Sequence, residues 1–335
     1  MKGTGKMEGQ EVNSGASLTP LVSVSITAFN AEKWLSKALD SVLMQRTTFP
    51  IEIVVGDDCS VDGTLRIARS YREKHPDVIR VLERSKNVGI QRNTYDNLEQ
   101  CRGKYIAWLD GDDCWTDPDK LAIQVETMES DPSISVCFHY VRYVGSAGEV
   151  IRAKNPTDAP GRFGIEDLIR HHLIETPSAM FRNGLQRGLP EWYFDVAPIS
   201  DFPLWLVAAR SGNLVLLDRV MADYLVRDGS VFSGEGTLFK LEKNTAVYER
   251  IESIIPPELH RLARAGKGMR YELMAYSLRK QGQFVASRKA AIKAFTSPCF
   301  RDRFGSKSKA LLASLVREAE WRLKRVVPGF RKERS

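Results

Sequence analysis

The chain has 335 residues, 43% hydrophobic and 27% charged, a composition that fits a globular protein and excludes a disordered or fibrous one. That length suits one large domain with a smaller appendage. The net charge of +7 belongs to the tail and not to the body: residues 301–335 carry 11 Lys/Arg against 4 Asp/Glu, and the remainder balances at 38 against 38.

Residues 1–20 are polar and glycine-rich, without the apolar stretch of a secretion signal, and predict a flexible lead-in. No apolar run approaches the roughly 18 residues that span a bilayer, so a cytoplasmic protein is expected, at most peripheral to the inner face of the cell membrane. The five cysteines are odd in number and scattered, and none forms a C-x-x-C pair. That pattern suits a reducing compartment and argues against a cysteine–zinc site.

From residue 21 the pattern alternates. LVSVSIT (21–27) is a β-branched strand, and AEKWLSKALDSVLMQ (31–45) has apolar residues at helical spacing. IEIVV (51–55) is a second strand, and Asp62 in the following loop can cap a helix through Ile67 and Tyr71. VIRVLE (78–83) is a third strand, and a helix near 91–101 leads to the fourth, YIAWL (105–109). Asp117, Pro118 and Asp119 then suit the start of a helix, and ISVCFHYV (134–141) is a fifth strand, with His139 as a core residue. Strand–helix alternation with short connections implies a mostly parallel, Rossmann-like sheet flanked by helices.

From 150 to 240 the alternation weakens to strand, helix and strand, and this half should complete a cleft. After Phe239 the composition turns helical, with two helices expected around Gly282 within 271–295. A single helical hairpin cannot form a solenoid, so it reads as a cap.

In open parallel sheets ligands sit at the carboxyl ends of the strands. TAFN (27–30), GDDCS (56–60) and DGDD (110–113) all fall there. Such residues also favour turns, but three polar motifs on one edge make a site. There is no G-x-G-x-x-G after the first strand, no P-loop and no H-E-x-x-H. What remains is a set of carboxylates suited to Mg²⁺ or Mn²⁺, ions that bind through one or two carboxylates plus substrate phosphates.

From Leu21 to Ser233 the order and spacing of these motifs resemble the family-2 inverting glycosyltransferases of the GT-A fold. TAFN stands for P-x-Y-N, and 57–64 for a DDGSTDGT-like loop. N-x-G follows at 87–89, then GKYIAWLDGDD (103–113) and W-x-D-P-x-K-L (115–121). The resemblance implies a metal-dependent enzyme of hexosyltransferase type. It would move a sugar from a nucleotide-diphosphate sugar to an acceptor hydroxyl with inversion, in polysaccharide or glycoconjugate biosynthesis.

By the same resemblance, Thr27, Phe29 and Asp58 hold the nucleotide base, with Asp58 accepting from a uracil-type N–H, so that UDP is favoured. Asn30 and Asp57 belong to the same binding set, Asp57 supporting its loop, and Arg92 contacts the nucleotide. Asp110, Gly111 and Asp112 form the D-x-D motif. Asp112, Asp110 and Asp113 are the metal candidates, with Asp112 central. Asp201 matches the catalytic base, although Ser200 replaces the usual acid before it, and the same residue also suits a helix N-cap. Phe29 replaces the usual tyrosine, and Arg227 stands where many relatives carry histidine, as a cation for the diphosphate.

The implied organisation is a flexible segment at 1–20 and a GT-A domain at 21–238, with a nucleotide-sugar half (21–141) and an acceptor half (142–238). A helical region (239–300) and a basic amphipathic helix and tail (301–335) follow. In 309–327 the apolar residues recur at helical spacing, with most of the basic ones elsewhere. Through 307–335 such a helix can lie on an anionic membrane or dock on its own domain. The acceptor is expected to be a carbohydrate or a lipid-linked glycan, and nucleic acid is not an expected partner. The competing reading is a catalytically inactive binding or scaffold protein that uses the helical C-terminal region.

Overall fold

The computed structural model describes residues 19–153, 161–230, 232, 234–295 and 297. Most of the 1–20 lead-in and all of the 301–335 tail lie outside these residues. Strand β1 (Val22–Ala28) is buried along its whole length. Its Val22, Val24, Ile26 and Ala28 join one core cluster, while Ser23, Ser25 and Thr27 alternate onto the opposite face. Helix α1 (Leu35–Leu43) buries Leu35, Ala38, Leu39 and Val42, one apolar stripe at helical spacing. Strand β2 (Ile51–Asp57) leads to α2 (Thr64–Lys74). Asp62 is not the cap expected from the sequence, since Gly63 takes the N-cap position; it accepts from the Thr64 N–H at 2.9 Å and the Glu32 N–H at 3.1 Å and so ties two loops together just ahead of the helix.

Strand β3 (Ile79–Glu83), helix α3 (Ile90–Glu99) and strand β4 (Tyr105–Asp110) follow. On the polar face of β1, Ser23 donates to Glu52 of β2 and Thr27 to Asp110 of β4, while α3 serves Ser25 and the backbone of β2. Asn97 Nδ2 donates to Ser25 Oγ at 2.8 Å and the Val54 carbonyl at 3.0 Å, and Asn93 Nδ2 to the Gly56 carbonyl at 2.9 Å. Buried polar atoms left without such partners would cost stability.

Strand β5 (Cys114–Trp115), unforeseen from the sequence, pairs antiparallel with Ala222 and Asp223 of a distant strand. Helix α4 (Lys120–Ser130) begins later than Asp117–Pro118 suggest, because Asp117 accepts from the Asp119 N–H at 2.9 Å and closes a turn ahead of it. The chain continues through β6 (Ile134–Gly145), β7 (Val150–Arg152), β8 (Gly161–Phe163), α5 (Ile165–Arg170), β9 (Met180–Arg182), α6 (Phe202–Ser211) and β10 (Asn213–Val226). Helices α7 (Thr237–Tyr248), α8 (His260–Lys280) and α9 (Phe284–Phe295) end the described part. Gly282, at φ +76°, turns α8 into α9.

The sheet runs β3-β2-β1-β4-β9-β6-β10-β5, with β7 on β6 and β8 on β10. The long registers β2–β3, β1–β2, β1–β4 and β6–β10 are parallel, while the antiparallel pairings are short. The chain winds outward from β1 to β3, then returns to β4 on the other side of β1. Thr27 stands level with both Gly56 and Asp110, so the three strand ends are flush at this reversal. One core cluster packs α1, α2 and α4 on one face of the sheet. The other packs α3, α5 and α6 on the opposite face, where Trp108 and Trp205 approach to 5.9 Å, and takes in Tyr248 of α7 and Ala263 of α8. Among the described residues no helix is long and apolar enough to cross a membrane.

Candidate functional site

The flush strand ends open into a cavity of about 860 Å³. Of the residues singled out from the sequence, Thr27, Phe29, Asp58, Asp110, Gly111, Asp112, Asp113, Asp201 and Arg227 line it. Asn30, Asp57 and Arg92 do not. Asn30 is left-handed (φ 49°), and its Oδ1 accepts from the Val61 N–H at 3.0 Å. Asp57 is fully buried and accepts from the Ser60 N–H at 3.1 Å. Both shape the loops. Arg92 turns along α3 to pair with Asp96 at 2.9 Å, with Phe194 beside it, because Asn93 and Asn97 take the inward phase of that helix.

Asp58 is 3% exposed and accepts from two backbone amides, Val88 N–H at 2.7 Å and Gly89 N–H at 2.9 Å. It fastens the loop after β2 to the start of α3, and each oxygen keeps a further lone pair. Phe29, 44% exposed, presents its ring at the mouth. Gly111 donates to the Thr27 carbonyl at 2.8 Å. A Cβ there would meet that carbonyl at 3.0 Å and Ala28 Cβ at 3.1 Å, so any larger residue would push the acidic turn off β1 by a few tenths of an ångström.

The three aspartates have different partners. Asp110 accepts from Thr27 Oγ1 at 2.8 Å. Its pKa is pushed up to about 7 by burial first and by the Asp112 charge next, with Asp201 adding to the same effect. Asp112 pairs with Arg227 at 2.9 Å, and Arg227 lies over the Trp34 ring at 4.1 Å. Asp113, 3% exposed, accepts from the Leu225 N–H at 2.8 Å, and burial followed by Asp112 and Asp110 raises its pKa well above the carboxylate range. Their carboxylates are thus aimed at three different partners, and the three do not converge on one point. Among the described residues no three His, Cys, Asp or Glu side chains are grouped to hold a metal ion.

Asp201 stands at the N-cap of α6. Its Oδ1 accepts from the Phe202 N–H at 2.7 Å, while Oδ2 lies 3.7 Å from His172 Nε2. The capping contact thus occupies one oxygen and leaves the other at the cavity. His172 and Glu175, the latter accepting from Tyr143 Oη at 2.6 Å, also line this part. Neither carries a sequence signal, since both lie in the irregular segment after α5. His139, by contrast, is buried in β6, 2.8 Å from the Tyr140 carbonyl, and burial holds its pKa well below the usual histidine range.

The chain is similar to proteins of known sequence and of known structure. An uncharacterized protein of Mycobacterium tuberculosis is 34% identical over 203 residues, 61% of this chain and 58% of the relative, so the match leaves much of that relative unspanned. TuaG of Bacillus subtilis, whose name provisionally places it as a glycosyltransferase of teichuronic acid biosynthesis, is 29% identical over 70% of this chain and 90% of its own. Among solved structures, residues 1–349 of S. aureus TarS in complex with UDP match with a TM-score of 0.62 at 16% identity, covering 94% of each chain. The mannosyltransferase PcManGT of Pyrobaculum calidifontis, in complex with GDP-Man and Mn²⁺, matches at 0.59 with 18% identity, over 89% of this chain and 86% of its own. At these identities the likeness is one of fold, here GT-A. The family model for glycosyl transferase family 2 matches residues 23–189, which run from β1 past the acidic turn to β9, and the chain belongs to that family.

Proposed function

We propose that the chain is an inverting glycosyltransferase that moves a sugar from a nucleotide-diphosphate sugar, UDP-linked by preference, to an acceptor hydroxyl in polysaccharide or glycoconjugate biosynthesis. One observation carries this reading. Asp201, from the second half of the chain, lines the same cavity as the Asp110–Asp112 turn. A proton acceptor and a diphosphate site share one space.

In this reading Phe29 covers the base, and Asp58 accepts a base N–H on a lone pair that its two amide partners leave free. TarS with bound UDP and PcManGT with bound GDP-Man support a nucleotide donor. Arg227, held by Asp112 and Trp34, offers its remaining donors to the diphosphate. The acceptor oxygen attacks the anomeric carbon in line. That C–O bond forms as the bond to the diphosphate oxygen breaks, and the hydroxyl proton passes to Asp201 Oδ2.

Asp110 and Asp112, two positions apart on one turn, both line the cavity, and their carboxylate oxygens are a donor set that fits Mn²⁺ or Mg²⁺ together with a diphosphate. Asp112 and Asp110 would hold the ion, and Asp113 would brace the turn from behind through Leu225. Bound there, the cation offsets charge on the departing diphosphate.

The test is a donor panel read by thermal shift and by sugar release, with and without each metal. Donor-dependent stabilisation and turnover are expected, with Asp112→Asn lowering turnover by at least about 10²-fold, the scale of a lost electrostatic stabiliser. Failure of every donor to bind, together with an Asp112→Asn protein that behaves as wild type, would leave the inactive scaffold reading.

A further inference from the structure

The cavity has two walls of opposite charge. The strand-end wall carries Asp58, Asp110, Asp112 and Asp113. The lining residues from α5, α7 and α8 include Arg170, Lys240 and Arg270 and no carboxylate. Arg270 is the informative one. Its guanidinium carbon lies 3.4 Å from the centre of the Tyr248 ring, and Nη1 donates to the Gly266 carbonyl at 3.1 Å. The ring is itself fixed. Its hydroxyl donates to the Ile169 carbonyl at 2.6 Å, and it stacks on Phe202 at 5.7 Å with an interplanar angle of 14°. Phe202 directly follows Asp201, so this stack sets the guanidinium's place relative to the carboxylate at the N-terminus of α6.

Among the described residues no carboxylate pairs with Arg270, and burial lowers its pKa. A guanidinium withdrawn from water without an acid partner is unfavourable unless something else supplies negative charge. Its rigid fork of donors suits a carboxylate or phosphate. In the glycosyltransferase reading the donor diphosphate belongs with Asp112 and Arg227, which leaves Arg270 for another anion. Met269 and Leu273, 40% and 49% exposed, flank Arg270 on α8 and add apolar contact for a larger molecule.

We propose that the α5–α8 wall is an anion subsite for the acceptor, in which Arg270 and Arg170 hold a phosphate or carboxylate group of the acceptor while its hydroxyl faces Asp201. The role of this wall as an acceptor site rests on the glycosyltransferase reading, whereas its preference for anions rests on Arg270 itself.

The full chain is titrated with methyl glucoside, methyl glucuronide and glycerol 3-phosphate, first alone and then with UDP and Mn²⁺ present, with binding followed by ligand-observed NMR. At least one anionic probe is expected to bind about tenfold or more tightly than the neutral one, the scale of a charge-assisted hydrogen bond. Which anion is preferred separates a phosphate-bearing acceptor from a uronate. Arg270→Met should abolish the preference and Arg270→Lys should retain part of it. Arg170→Ala, at an exposed side chain whose loss does not threaten folding, should weaken it several-fold. Equal binding of neutral and anionic probes, or variants that weaken UDP binding instead of probe binding, would overturn the subsite. An intact anion preference without any UDP binding or sugar transfer would count against the glycosyltransferase reading and leave the anion site standing.

Discussion

Asp201→Asn separates the two things Asp201 can do. As a cap, its Oδ1 accepts from the Phe202 N–H at 2.7 Å, and asparagine makes the same contact as well as aspartate does. The substitution therefore costs only the charge–dipole interaction, about 0.3–1 kcal/mol. Asp201→Ala removes the cap too and should cost about 1 kcal/mol more. As a base, the carboxylate is irreplaceable by an amide, and losing a general base slows transfer roughly 10²–10⁴-fold. That is about 2.7–5.4 kcal/mol of barrier, several times the stability change. Denaturant unfolding and initial-rate sugar transfer at saturating donor measure the two quantities on the same preparations. Asp201→Asn should unfold near wild type, keep its donor KM, and lose kcat by the stated factor. If Asp201→Asn transfers sugar within about threefold of wild type, far short of a lost general base, Asp201 is only a cap and the mechanism is wrong.

Gly111→Ala drives a Cβ to 3.0 Å from the Thr27 carbonyl, backbone of a buried strand that cannot retreat. It should lower stability by about 1–3 kcal/mol, and the displaced acidic turn should lower turnover with it; an unchanged melting temperature and rate would refute the close-approach argument. Lys120 is fully buried, donates to Gln124 Oε1 at 2.7 Å, lies over Trp115 at 4.0 Å, and has its pKa pushed down to about 7 by burial. Its neighbours Cys137 and His139 are buried with it. Between pH 7 and the ordinary lysine value of 10.5 the unfolded chain holds a proton on Lys120 that the native chain has released, so the contribution of Lys120 to stability rises with pH across that window. Relative to Lys120→Met, the wild type should therefore gain stability from pH 7 toward pH 10, and parallel unfolding profiles would contradict this. The basic segment 309–327 is tested by co-sedimentation with anionic liposomes, comparing the full chain with one ending at Gly305; equal pelleting would remove its proposed membrane role.

The strand-end motifs are readable in the sequence because each is a local signal: an apolar run that stops at Asp, Asn or Gly. Strands β5 and β8, of two and three residues, are too short to show a period and exist only because distant strands pair with them. The orientation of Arg92 depends on the phase of α3. Once Asn93 and Asn97 reach inward to the backbones of β1 and β2, Arg92 and Asp96 are left facing each other outside, at i and i+4. A motif match places Arg92 on the helix but does not set that phase.

The sequence alone determines that a strand carries three aspartates to a sheet edge beside TAFN and GDD, since alternation and chain reversal are written in consecutive residues. Only the tertiary structure decides that these aspartates take three separate partners. It also decides that His172 meets Asp201, and that Arg270 of α8, stacked on Tyr248, faces the same cavity without an acid. These relations join residues tens to more than a hundred positions apart. They follow from how the helices pack on the sheet, which hydrophobic periodicity does not encode.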